Sequence, residues 1–190
     1  MSRDRIVLVT QNKHKLAELK PLFDEFNVPF DTTDLEKLEI RSQDVEDIAL
    51  TAAKHAHGIL NRPVVVDDTG FFVSVLNDFP GSYAAYVLET IGYQGILRLI
   101  EGASDRSARF VTAVAFCDEN NLKSFIGQMS GIISEVPSGK GGFGYDPIFI
   151  PDGFSTTYAQ LSLSEKVQIS HRTRAFRAFL EWRTSIAENP

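Results

Sequence analysis

Cysteine is almost absent from this chain. Cys117 is the only one among 190 residues, which excludes an internal disulfide and any cysteine-rich metal site. A chain without disulfides fits a reducing compartment, so we expect it in the cytoplasm.

Long apolar runs are missing too. The first residues lack the apolar core of a signal peptide, and no stretch approaches the ~20 apolar residues of a membrane helix, so we expect no membrane contact.

Basic residues are too few for a nucleic-acid surface. The 19 Lys and Arg residues face 25 Asp and Glu residues, which gives a net charge of −6. The charges are nevertheless segregated along the chain. Residues 166–177 contain four basic residues and no acid, whereas residues 31–47 contain seven acids. This segregation predicts a local basic pocket where anions and a metal meet.

Repeats, linkers and low-complexity tracts are also absent, so we expect a single domain over residues 1–190. Apolar spacing predicts strands at residues 5–10, 64–66, 71–76, 107–117, 122–133 and 148–150. It predicts helices from Asn12 to Phe26, at 44–60, up to about residue 100, and at 164–184. Pro21 should kink or shorten the first helix. This order, with a hairpin at 107–133, predicts an α/β or mixed α+β fold on a mixed sheet.

The segment TQNKHK at residues 10–15 joins the first strand to the first helix. A helix N-terminus offers unpaired N–H groups and a positive dipole end, and Lys15 adds a full charge, so the segment suits a phosphate. A helix capped by Asn12, with solvated lysines, explains the same residues.

Two adjacent acids, Asp67 and Asp68, follow the strand at 64–66. In an extended segment one carboxylate would point to each face, so that one could bind Mg²⁺ and the other accept backbone donors. An ordinary Asp-Asp turn remains open. Glu39, in the acidic stretch, is the candidate for a second Mg²⁺ ligand beside Asp68, because Mg²⁺ takes one or two carboxylates plus substrate phosphates.

Two later segments carry residue types suited to a nucleotide. In GGFGYDP, residues 141–147, two aromatic rings could stack on a base and Asp146 could accept its N–H groups, although a tight loop with aromatics in the core is the alternative. In SEKVQISHR, residues 164–172, Lys166 and Arg172 can reach one side of a helix end. Arg172 could bind phosphate or a purine carbonyl through two parallel N–H bonds, whereas His171 alone is more typical of a structural residue.

The joint order of these segments, with FPGSY at residues 79–83, resembles the inosine triphosphate pyrophosphatase family. These proteins are also described as XTP/dITP diphosphatases, and the resemblance to their archaeal-type members spans Ile6 to about Trp182. It implies an elongated, two-lobed homodimer of mixed α/β protomers with the active-site cleft between the lobes. It also implies Mg²⁺-dependent hydrolysis of ITP, dITP or XTP to a nucleoside monophosphate and pyrophosphate.

The resemblance also implies residue roles. Asp68 matches the general base and a metal ligand, and Glu39 matches the second metal ligand. The positions that match substrate contacts are Thr10, Asn12, Lys15, Lys54, Asp68, Thr69, Phe143, Gly144, Tyr145, Asp146, Lys166, His171 and Arg172. Two positions depart from the pattern: Gln11 stands where glycine is common, and Ala85 stands where some members carry lysine.

Two other functions would use some of the same residues. A P-loop phosphotransferase is suggested by Ser138–Gly142, but the phosphate-loop spacing is absent and no hydroxyl follows Lys140. A non-catalytic nucleotide-binding protein on the same fold is the other class. The acids at positions 39 and 68 favour an enzyme, and Mg²⁺-dependent turnover would distinguish the two.

Overall fold

Seven strands form one mixed sheet in the computed structural model, which describes residues 5–188. The strands are β1 (Ile6–Leu8), β2 (Phe30–Thr32), β3 (Val64–Val73), β4 (Pro80–Gly81), β5 (Ser107–Cys117), β6 (Leu122–Ile133) and β7 (Phe149–Pro151). The helices are α1 (Lys13–Glu25), α2 (Val45–Leu60), α3 (Ala84–Leu99), α4 (Leu163–Ile169) and α5 (His171–Glu188). None of the helices within residues 5–188 is long and apolar enough to cross a membrane.

The sheet combines parallel and antiparallel pairs, which confirms the expected mixed α/β fold. Its strand order is β2-β1-β3-β5-β6-β7, and β4 pairs with β3. The β1–β2 and β1–β3 pairs are parallel, and α1 and α2 make the crossovers that parallel strands require. Strands β5 and β6 form the predicted antiparallel hairpin with the predicted bounds, closed at the 118–121 turn.

Three apolar clusters divide the molecule into two lobes. In one lobe, α1 and α5 cover the sheet face that contains Val65, and α2 covers the opposite face that contains Val66. In the other lobe, α3 and the segments after β6 pack around Phe71. Strand β3 runs through both lobes, so its residues 67–70 lie at the junction between them.

Residues 67–70 belong to β3, which corrects the prediction of two short strands around a turn. Strand β3 extends from Val64 to Val73, and each of its ten residues has a partner on β5. Because β5 satisfies one edge over this whole length, the polar residues do not interrupt the strand. Residues 74–76, predicted as the end of a strand, form a 3₁₀ turn.

The predicted helix at 164–184 is two helices separated at Ser170. The backbone of Ser170 is extended (φ −68°, ψ 150°), and its hydroxyl accepts the N–H of Thr173 at 3.1 Å. Ser170 is therefore an N-cap that begins α5, and it places His171 and Arg172 in the first turn of that helix.

Pro21 does not shorten α1, which continues to Glu25. The proline is exposed, so the carbonyl group left without its helical partner can bond to water.

Candidate active site

A cleft of about 720 Å³ opens where one edge of β3 is free. Among the described residues, β1 pairs with that edge as far as Val65, and β4 pairs with it only from Phe71 onward. The backbone edge between these pairs, which includes Asp67, Asp68 and Thr69, therefore faces the cleft. This gap in the sheet lies at the junction of the two lobes.

All but one of the predicted site residues lie in the walls of this cleft. They are Thr10, Asn12, Lys15, Glu39, Asp68, Thr69, Phe143, Gly144, Tyr145, Asp146, Lys166, His171 and Arg172. The exception is Lys54, which is exposed on α2 and lies outside the cleft walls. Helix α2 turns Ala52, Ala53 and Ala56 toward the sheet, so position 54 points away from it. We therefore correct the assignment of Lys54 as a substrate contact.

Strand alternation sends Asp67 toward α1 and α5, the same face as Val65. The ammonium group of Lys15 donates to Asp67 Oδ2 at 2.7 Å, and Arg172 Nε lies 3.5 Å from the same oxygen. Asp67 is only 2% exposed. Burial alone would raise the pKa of Asp67, but Lys15 and Arg172 together lower it below its usual value. Asp67 is thus a buried carboxylate that anchors two cations.

Glu18 is a site residue that the sequence reasoning missed. Its carboxylate accepts from Arg172 Nη1 at 2.5 Å and from Lys166 Nζ at 2.8 Å, and Lys166 also donates to Asp146 Oδ2 at 2.6 Å. All four side chains are at least nine-tenths buried. A signal was present in the sequence, because Glu18 lies four residues before Leu22 and so shares the apolar face of α1.

The predicted basic pocket is therefore charge-balanced. Its three cations, Lys15, Lys166 and Arg172, already pair with three carboxylates. Lys15 has the most exposed side chain of the three, at 18%, against 4% and 3% for the other two. It is accordingly the cation best placed to turn from its carboxylate toward a phosphate.

The loop before α1 is held by its own side chains. Asn12 Oδ1 accepts the N–H groups of His14 and Lys15, and Thr10 Oγ1 accepts the N–H of Asn12. The Asn-capped helix is thus the arrangement found, and these N–H groups are satisfied within the protein. Gln11, at the position where glycine is common, donates through Nε2 to the carbonyl oxygen of Asp34 at 2.9 Å.

The two aromatic rings of the glycine-rich loop have different surroundings. Tyr145 is 3% exposed, stacks on Phe71 and donates to the carbonyl oxygen of Ala84 at 2.8 Å, so its ring belongs to the core. The expectation that Tyr145 stacks on a base is corrected accordingly. Phe143 is half-buried, with His14 stacked on it and Lys166 Nζ 4.7 Å from its centroid. Phe143 is therefore the ring that remains available to a ligand.

His171 ends a buried chain of hydrogen bonds. Its Nδ1 is 2.6 Å from Thr112 Oγ1, which is 2.7 Å from Thr69 Oγ1, and its ring stacks on Phe110. Burial, reinforced by the charge of Arg172, holds the pKa of His171 well below its usual value. The imidazole is therefore neutral, and it fixes the position of Thr69 in the cleft wall.

Asp68 lies on the face opposite Asp67, where it meets Glu39. Both carboxylates contact the ammonium group of Lys37, at 2.5 Å from Asp68 and 3.0 Å from Glu39. The other oxygen of Asp68 is buried without a hydrogen-bond partner among the described residues. Burial raises the pKa of Asp68 despite the neighbouring Lys37.

The Asp68–Glu39 pair fits a divalent cation. No group of three or more His, Cys, Asp or Glu side chains suited to a metal occurs in residues 5–188. Two carboxylates that converge on one cation, one of them with an unused oxygen, nevertheless match the ligands that Mg²⁺ takes when substrate phosphates complete its coordination. These two residues would hold the metal.

Comparisons with known proteins identify relatives of one kind. The family model described as the Ham1 family matches residues 6–182. A dITP/XTP pyrophosphatase of Saccharolobus solfataricus is 48% identical over 184 residues, which are 97% of this chain and 96% of that protein. One of Pyrobaculum aerophilum is 46% identical over 95% of this chain and 97% of that protein. The solved structure of a HAM1 protein from Coxiella burnetii matches with a TM-score of 0.87 at 31% identity, covering 96% of this chain and 99% of that one.

Proposed function

The chain belongs to the Ham1 family, and from that premise we propose that it hydrolyses ITP, dITP and XTP to a nucleoside monophosphate and pyrophosphate. The family membership confirms the resemblance read from the motifs. The relatives named dITP/XTP pyrophosphatases support this substrate class, because they align with the chain over nearly its full length. Such an activity removes deaminated purines from the nucleotide pool.

The observation that carries this proposal is the position of Asp68. It lies at the free edge of β3, inside the cleft, and shares one cation with Glu39. One of its carboxylate oxygens makes no hydrogen bond among the described residues and is therefore free to accept a proton. It is therefore the group we assign to accept the proton of the attacking water.

In the proposed reaction, the water oxygen bonds to one phosphorus of the α–β bridge and the bridging P–O bond breaks, which releases pyrophosphate. The water proton passes to the Asp68 carboxylate. Mg²⁺ is the metal we propose, and when held by Asp68 and Glu39 it would offset the charge of the triphosphate. Lys15 provides a further positive charge from the opposite side of β3.

Base selection is assigned to Arg172, beside Phe143. Its Nη1 is bound to Glu18, but within residues 5–188 its Nη2 makes only a 3.4 Å hydrogen bond, to Thr69. This donor suits the 6-keto oxygen of hypoxanthine or xanthine. The 6-amino group of adenine would leave it without an acceptor, and an unpaired buried donor produces strong discrimination.

The oligomeric state and the location of the protein are parts of the same proposal. The resemblance supports a homodimer of single-domain chains, and the lone cysteine supports a cytoplasmic location.

A triphosphate panel tests the function. ITP, dITP, XTP, GTP, ATP and dUTP are each incubated with the enzyme in Mg²⁺ or in EDTA, and pyrophosphate is scored separately from phosphate. We expect pyrophosphate from ITP, dITP and XTP in Mg²⁺ alone. Tight nucleotide binding without turnover would instead identify a non-catalytic binding protein, and release of phosphate would contradict the reaction.

A further inference from the structure

Lys37 places its ammonium group between the two carboxylates of the proposed metal site. Its Nζ lies 2.5 Å from Asp68 Oδ1 and 3.0 Å from Glu39 Oε1. The Lys37 side chain is 18% exposed, and it lines the same cleft as both acids. The family resemblance assigned no role to this residue.

The segment that carries Lys37 is anchored at both ends, although it contains neither helix nor strand. It comprises residues 33–43, between β2 and α2. At its start, Gln11 donates to the carbonyl oxygen of Asp34 at 2.9 Å, and near its end, Ser82 donates to that of Ser42 at 2.5 Å. These two bonds tie the segment to opposite walls of the cleft, so the lysine is held beside Asp68 by more than its own ion pairs.

We propose that Lys37 competes with the metal for Asp68 and Glu39. This inference rests on the proposed function. An ammonium group and a divalent cation repel each other strongly at contact distance, so both cannot occupy the space between the two carboxylates. Metal binding must therefore displace the Lys37 ammonium, and the loss of its two ion pairs opposes that binding. Lys37 thus lowers the affinity of the free enzyme for metal.

The nucleotide relieves this competition. A triphosphate in the cleft gives the displaced ammonium group a new anionic partner, so the cost of removing it from Asp68 falls once substrate is present. Metal and triphosphate then bind with positive coupling, and by linkage each raises the affinity for the other. The consequence is an enzyme that binds free Mg²⁺ weakly and the metal–nucleotide pair well.

Metal titration of the nucleotide-free protein tests the proposal without any turnover. Mn²⁺ and Mg²⁺ are titrated by calorimetry into the wild type and into Lys37→Met, which keeps the length of the side chain and removes its charge. We expect the Kd for the metal to fall about tenfold or more in the variant. Circular dichroism verifies that the variant is folded.

Two control variants separate local competition from a general change in charge. Lys37→Arg keeps a cation at the site and should bind metal no more tightly than the wild type. Lys20→Met removes an exposed positive charge on α1, where Lys20 pairs with Asp24, and it should also leave the Kd unchanged.

The measured metal affinities decide whether Lys37 competes with the metal. Equal metal affinity in the wild type and Lys37→Met, or tightened binding in Lys37→Arg as well, would overturn the role of Lys37 and leave the proposed function intact. Absence of metal binding in every variant would overturn both the competition and the metal assignment. The triphosphate panel addresses the hydrolysis itself, so the two proposals fail separately.

Discussion

Asp67 and Asp68 are adjacent in the chain, yet their carboxyl pKa values shift in opposite directions. Asp67 is enclosed by Lys15 and Arg172, which outweigh the effect of burial and lower its pKa. On the other face of β3, burial outweighs Lys37 and raises the pKa of Asp68. The two faces of the strand therefore carry different groups. Asp67 is a fixed anion that holds Lys15 and Arg172 in position, and Asp68 is the proposed base.

Replacement of Asp68 by asparagine tests the second of these roles. Asp68→Asn keeps the shape of the side chain but removes the proposed base and proposed metal ligand, so kcat should fall by roughly 10²–10⁴ while the fold is kept. Steady-state kinetics with ITP measure the effect. Asp78→Asn, which removes a carboxylate that pairs with Arg109 outside the cleft, is the control. Near-normal turnover in Asp68→Asn would contradict the assignment.

His171 should make the stability of the protein depend on pH near neutrality. Its pKa is depressed in the folded state, so below pH about 6.5 the unfolded chain binds a proton that the folded chain excludes. The stabilisation by this group is complete above that pH and is lost as the pH falls, at up to about 1.4 kcal/mol per pH unit.

Denaturant unfolding at pH 7.5, 6.5 and 5.5 measures this slope. His171→Asn retains a polar atom near Thr112 and cannot titrate, so its free energy of unfolding should fall less steeply than that of the wild type. The exposed His55 is the matched control, and His55→Asn should keep the wild-type slope. Parallel slopes for the wild type and His171→Asn would show that His171 is not held neutral.

Residue types alone predicted most of the cleft, but not its ion pairs. The motifs identified Lys166 and Arg172 because cationic side chains suit a nucleotide. The partner of Arg172, Glu18, lies 154 positions away in the chain, and no sequence spacing reveals such a pair. Lys37 was not predicted as a site residue for a related reason, because a single lysine in an acidic stretch is typical of a solvated segment.

At the scale of elements, the bounds of a strand were predictable where the composition changes sharply at its ends. The bounds of β5 and β6 were predicted correctly because apolar runs flank the polar turn at 118–121. Strand β3 was predicted as two strands because Asp-Asp-Thr-Gly has the composition of a turn. The segment is nevertheless a strand, because β5 pairs with it throughout and distant cations neutralise its two aspartates.

Gly142 offers a test of the glycine-rich loop. Its φ is +68°, and a Cβ there would clash with Asp146 Oδ2, the oxygen that accepts hydrogen bonds from the N–H of Phe143 and the ammonium group of Lys166. Gly142→Ala should therefore lose about 1–2 kcal/mol of stability through backbone strain. It should also lower kcat/KM for ITP about tenfold or more, because Asp146 must move.

Gly153 provides the matched comparison, because its φ is +85° and an added Cβ would meet no atom of the described residues within 4 Å. Gly153→Ala should show a similar loss of unfolding free energy with unchanged kinetics. Equal effects of the two substitutions on kcat/KM would show that the position of Asp146 does not matter to the reaction.

At the scale of the whole molecule, we expect a homodimer. Light scattering at micromolar concentration should give twice the 21.1 kDa mass of one chain. Helix α3 exposes Tyr86 and Ile91 by 66% and 48%, so both side chains are accessible to a partner. A mass near that of a single chain, unchanged on concentration, would contradict the expectation.

Strand β3 pairs with β5 without interruption, so the two strands form a rigid antiparallel ladder that passes through both lobes. The continuous ladder resists a hinge beside Asp67 and Asp68, so we expect nucleotide entry to be accommodated by the segments at 33–43 and 139–145, which lie outside the sheet. On addition of ITP with Ca²⁺ in place of Mg²⁺, amide hydrogen exchange should slow in those two segments and remain unchanged along β3 and β5. Altered exchange along β3 and β5 would contradict this expectation and show that the sheet itself bends beside Asp67 and Asp68.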